Sequence, residues 1–168
     1  MALPPESHRL RPDHLPTPFS AEQIRHGCPV GRTIRLREDG AGEEPRFRRI
    51  IFTEVDGEAS VQELQATDAD GTQLGEPSLG HSTWLDLQRH ASQPANATTV
   101  EEVRLALPFG EFDCWLYTVG APDAELRFWF AKELPGMPVR IEQWVDGSLA
   151  ARTLMIDNAT PPAAGGTR

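Results

Sequence analysis

Leu107-Pro-Phe-Gly-Glu-Phe-Asp-Cys-Trp-Leu-Tyr-Thr-Val119 runs into a Gly120-Ala-Pro-Asp123 turn. Ala124-Glu-Leu-Arg-Phe-Trp-Phe-Ala-Lys-Glu-Leu-Pro-Gly-Met-Pro-Val-Arg-Ile-Glu142 follows, and a last hairpin ends near Asp157. Apolar residues alternate along this stretch, which is the period of a strand with two different faces. Phe112, Cys114 and Leu116 point one way; Asp113, Trp115 and Tyr117 point the other. Leu126, Phe128 and Phe130 oppose Arg127 and Trp129. Val139, Ile141 and Val145 oppose Arg140, Glu142 and Trp144. Turns are marked at 120–123, at Pro135-Gly136 and at Asp146-Gly147, and Asx-Gly between alternating runs is a strong hairpin signal. The reading is an antiparallel meander with one apolar face and one that mixes Trp and Tyr with Arg, Glu and Asp.

Working back along the chain, further strands are expected at 32–38, 47–55, 59–67 and 98–107, with Asp56-Gly57 and Asp70-Gly71 as turns. Ser20-Ala-Glu-Gln23 is a capping box that opens a short helix, with Gly27 as its C-terminal cap. A second helix is expected over 82–91. Ser82 is its N-cap, Trp84, Leu87 and Ala91 form its apolar face, and Arg89 and His90 stand near its C-terminal end. The fold class is therefore mainly β, or α+β: a curved antiparallel meander of seven to nine strands, shaped like a half-barrel, with one or two short helices. One amphipathic helix cannot cover so large an apolar face, so the sheet either curls around it, which gives a half-barrel with a groove, or stays open on part of one face. The Pro-rich segment 1–18 reads as an extended or disordered arm, 19–158 as a single β-rich domain, and 159–168 as a loose tail.

The run Phe109-Gly-Glu-Phe-Asp-Cys114, with Tyr117, then Phe128-Trp-Phe-Ala131 and Leu134-Pro-Gly-Met-Pro-Val-Arg-Ile-Glu142, resembles the closing hairpins of some uncharacterised bacterial domains. Those domains are similar to the lipoprotein-carrier folds. The resemblance covers roughly the last third of the chain. It implies a strongly curved antiparallel sheet wrapped around helices, with a concave face able to hold an acyl chain.

Composition narrows the function. The 168 residues carry 25 acidic against 16 basic side chains, for a net charge of -9. That balance disfavours nucleic acid, whose phosphates require a basic surface, and anionic membrane surfaces. No apolar run approaches the ~20 residues of a membrane helix. No signal-peptide core is read in 1–18, so the expected location is cytoplasmic, with Cys28 and Cys114 as reduced thiols. His8 and His14 on the arm read as ordinary residues rather than metal ligands, and no metal or other cofactor is expected. Asp68-Ala-Asp-Gly71 lacks the flanking acidic residues of a calcium loop and reads as a turn. Gly80-His-Ser-Thr-Trp84 lacks the second glycine of a nucleophile elbow.

The candidate site is the mixed face: Trp115, Tyr117, Arg127, Trp129, Arg140 and Trp144. Aromatic and Arg side chains dominate binding hot spots, and the same residues also suit cross-strand packing on a solvent face. Three functions follow. The first is a binding module for a small apolar or amphipathic ligand, or for a partner protein. The second is a structural protein that self-associates, as in a homodimer. The third is an enzyme of a type no motif marks.

Overall fold

The computed structural model describes residues 2–121 and 123–161. It contains nine strands: β1 (Thr33–Gly40), β2 (Arg46–Val55), β3 (Ala59–Thr67), β4 (Ser78–Thr83), β5 (Thr98–Leu107), β6 (Gly110–Ala121), β7 (Ala124–Ala131), β8 (Arg140–Val145) and β9 (Ser148–Ala159). Two helices accompany them, α1 (Ala21–Gly27) and α2 (Trp84–His90). All strands lie in one open, curved antiparallel sheet, in the order β4-β3-β2-β1-β9-β8-β7-β6-β5. Two chain-local meanders, β1 to β4 and β5 to β9, meet at a single seam where β1 pairs with β9. The mainly β, curved-meander expectation is met. The strand β4 is an addition: Ser78–Thr83 pairs with β3.

Local sequence explains the ends of the elements. Ser20 Oγ accepts from the Gln23 N–H at 3.2 Å, and Gln23 Oε1 accepts from the Ser20 N–H at 3.0 Å, closing the capping box. The second helix starts one residue later than expected: Thr83, not Ser82, is the N-cap and accepts from the Asp86 N–H. Ser82 is held in the β4 ladder opposite Ser60. Gly27 belongs to α1 rather than capping it, and Cys28 is the C-cap. Its lack of a side chain serves packing, since a Cβ there would lie 2.8 Å from the Pro135 carbonyl oxygen. Asp146 and Gly147 have φ of 50° and 79°, the left-handed pair of a two-residue hairpin turn. The turn expected at 120–123 includes position 122, outside the described residues, as does the tail beyond 161.

The concave side of the sheet is covered by α1, α2 and the N-terminal segment. That segment is largely extended, with one 3-10 turn at Glu6–His8, and it is docked. Pro16 and Thr17 are fully buried. His8 Nδ1 lies 2.9 Å from the Thr17 carbonyl oxygen, and His14 Nδ1 lies 2.8 Å from Ser92 Oγ. Tyr117 of β6 reaches across and donates to the Pro16 carbonyl at 2.5 Å. Gln88 of α2 binds Thr17, His8 and Ala21 at once. No helix among the described residues is long and apolar enough to cross a membrane.

Tyr117 is wholly buried, so losing its hydroxyl leaves the Pro16 carbonyl without its partner. Tyr117→Phe is expected to lower stability by about 1–3 kcal/mol in urea denaturation, and to speed proteolysis between positions 1 and 18.

Candidate functional site

The six expected site residues divide between the two faces of the sheet. Ala121 pairs with Ala124, so odd positions of β6 stand beside even positions of β7. Trp115 lies opposite Phe130 and Tyr117 opposite Phe128, on the concave face. Arg127, Trp129, Arg140 and Trp144 lie together on the outer face, with Trp129 opposite Arg140 and Arg127 opposite Glu142. The expectation of one shared aromatic surface is corrected accordingly. Phe112, Cys114 and Leu116, grouped with the apolar face by alternation alone, share the face of Trp129 instead.

On the outer face the four residues satisfy one another. The Arg140 guanidinium sits 4.9 Å from the Trp129 ring centre, and that of Arg127 4.7 Å from Trp144. Glu142 is only 2% exposed. It accepts from Arg140 Nε at 2.8 Å and from Trp144 Nε1 at 2.9 Å. A carboxylate this buried is stable because charged and neutral donors surround it. Trp129 is 8% exposed, so its ring is packed rather than presented. Trp115, on the other face, is capped by Lys132, whose Nζ lies 4.1 Å from the ring centre and also pairs with Glu102.

The groove expected of a curled sheet is present on the concave face as a cavity of about 380 Å³ between the sheet and its cover. The sheet contributes Ile34, Ile50, Phe52, Phe128, Phe130 and Ile141; the cover contributes Phe19, Ile24, Leu87 and Ala91. Tyr117 is the one expected site residue that lines it. Its phenol, edge-on to Phe130 at 5.6 Å, is pushed well above the ordinary tyrosine range by burial. Polar groups are few and separate: Arg32, Gln62, Ser82, His90 and Gln93. This is the usual make-up of a small-molecule pocket, apolar walls with scattered polar points, and its size falls in the ~300–1,000 Å³ range of such sites.

One end of the cavity carries Cys28 and Arg32. Arg32 Nη1 donates to the Gly27 carbonyl at 3.0 Å, the Pro135 carbonyl at 2.9 Å and Cys28 Sγ at 3.2 Å, while Nε donates to Asn158 Oδ1 at 2.8 Å. Burial raises the Cys28 thiol, and Arg32 partly offsets the rise. Cys114 lies fully buried in β6 and is pushed up to about 11 by burial, with the nearby Asp113 charge adding to the shift. Both are free thiols kept in the unreactive protonated form. Among the described residues neither thiol is hydrogen-bonded to a base, and there is no group of three or more potential metal ligands.

Two outcomes are expected. Trp129→Ala should lower stability by about 3–5 kcal/mol in chemical denaturation, as large-to-small changes at packed aromatics do; little change would show the ring to be dispensable to packing. The second concerns alkaline pH. The unfolded Cys114 thiol ionises near 9.0 and the folded one near 11. Its contribution to stability is therefore full below pH 9 and is lost as pH rises from 9 towards 11. Denaturation at pH 8 and pH 10.5 should show a decline that Cys114→Ala reduces.

No family model matches the chain, and no curated protein matches it in sequence. Among solved structures it is similar to the crystal structure of MucB, with a TM-score of 0.56 and 12% sequence identity. The likeness covers 86% of this chain and 58% of the MucB chain, so this chain spans little more than half the length of that neighbour. At this identity the likeness is one of fold: an open curved antiparallel sheet.

Proposed function

We propose that the protein is a binding module that holds a small apolar or amphipathic ligand in the cavity on the concave face of its sheet. The observation that carries this is the cavity itself: about 380 Å³ left open among Ile34, Phe128, Ile141, Leu87 and their neighbours. An apolar void forfeits the dispersion contacts its lining side chains would otherwise make, and a core selected only for stability would close it. Apolar guests restore those contacts, and burying their surface contributes roughly 25 cal/mol per Å². The outer face supports the same reading by default, because Arg127, Trp129, Arg140 and Trp144 are already engaged with one another and with Glu142.

Ala91 follows α2 and lines the cavity, which makes it a place to fill the space without disturbing the sheet. The naphthylamine probe N-phenyl-1-naphthylamine, fluorescent in apolar surroundings, should bind the native protein at one site. Ala91→Trp should weaken that binding about tenfold or more with the melting temperature held or raised. A native protein that leaves the probe dark has no accessible cavity, and the proposal falls.

A further inference from the structure

The proposed cavity contains a cation with no counter-charge among the described residues. Arg32 is 1% exposed and heads the fully buried side chains by size. All its partners are neutral: two backbone carbonyls, a thiol and a side-chain amide. Among the described residues it joins no ion pair; Arg35 and Arg49 join none either but are only partly buried, and the partly buried Arg37, Arg48, Arg127, Arg140 and Arg152 each meet a carboxylate. Its Nη2 is buried and, among the described residues, has no hydrogen-bond partner. Arginine stays charged in proteins and presents its donors as a fork suited to carboxylate or phosphate. A buried charge is retained when something pairs with it.

The neighbouring contacts do not account for a cation. The Gly27 and Pro135 carbonyls need only N–H donors, which a neutral amide supplies. What a guanidinium adds is charge and a second terminal nitrogen. Arg32 lines the cavity beside Gly136 and Met137. Gly136 has no side chain between them: a Cβ there would lie 3.1 Å from Nη1 and 3.3 Å from Cys28 Sγ. Nη2 is shut from water, and Met137 lines the same cavity with an unbranched thioether that repacks easily.

Building on the cavity's proposed role, we infer that its ligand is an anionic amphiphile whose carboxylate or phosphate head pairs with Arg32 while its tail lies along Ile34, Phe128 and Ile141. The head supplies the missing counter-charge and accepts from Nη2; Met137 moves aside to admit it. Selectivity then comes from both ends of the cavity, the apolar walls accepting the tail and the buried guanidinium rejecting a head that brings no negative charge.

Competition against bound N-phenyl-1-naphthylamine tests this with four ligands of one chain length: dodecanoate, dodecyl phosphate, dodecanol and dodecyltrimethylammonium. On the native protein the better of the two anions should displace the probe at about tenfold lower concentration or less than dodecanol, and the cation should be weakest. Whichever anion is tighter identifies the head. Arg32→Gln should bring that anion and dodecanol to about equal strength while dodecanol keeps its own. Equal displacement by all four from the native protein overturns the inference and leaves the cavity's role standing. Probe binding with displacement by none of them overturns the inference alone, and no probe binding overturns both. Anion preference that survives Arg32→Gln places the head elsewhere and also overturns it. Should Arg32→Gln fail to fold, the native comparison still overturns the inference if all four ligands displace the probe equally.

Discussion

Gln88 fastens the cover of the sheet to itself. Its side-chain oxygen accepts from the Ala21 N–H at 2.9 Å, at the start of α1, and its amide nitrogen donates to Thr17 Oγ1 and to the His8 carbonyl. Three segments distant in sequence, the N-terminal segment, α1 and α2, thus become one body. Each is too short to be stable alone. A buried amide with its capacity used on both ends fixes geometry as well as adding energy. The cover therefore keeps its own shape over the sheet, and Phe19, Ile24 and Leu87 bound a space rather than filling one.

The two faces of the same sheet solve different problems with the same residue types. Outside, Trp and Arg alternate across β7 and β8, and Glu125 and Glu142 neutralise the array by pairing with Arg127 and Arg140. The result is a shielding layer in which indole faces are covered by guanidinium groups, each contact adding on the order of 0.5–1 kcal/mol. Inside, aromatic rings pack edge to face, as Phe19 and Tyr117 do on Phe130, and charge is almost absent. The charges on that side are the Lys132–Glu102 pair beside Trp115 and, in the cavity wall, Arg32.

Much of the architecture was legible because alternation and turns are local. The Asp146-Gly147 hairpin, the Ser20 capping box and the β5 to β9 run can each be read from a few residues. What escaped was the relation between strands. Whether Trp115 shares a face with Trp129 depends on which residue of β7 stands opposite it, and one residue of register moves every side chain across the sheet. The β1–β9 seam escaped for the same reason, since nothing near Thr33 marks Asn158 or Ala159 as its neighbours. The docking of 2–18 rests on single long-range bonds, such as Tyr117 to Pro16, that leave no periodic trace. Arg32 was passed over as the first residue of a strand, because a sequence does not show that a charge will be buried or what stands near it.

The seam has a kinetic meaning. Every other pairing in the sheet joins strands that follow one another in the chain, and such hairpins form with little loop entropy to overcome. Only β1 against β9 requires ends as far apart as Thr33 and Ala159 to meet, and contacts of that separation slow folding. The cavity draws one wall from each side of this joint, with Ile34 and Ile50 from the first meander and Phe128 and Ile141 from the second. Neither half encloses it. The cavity is complete only once β1 has paired with β9, and any fluctuation that parts the two halves opens it.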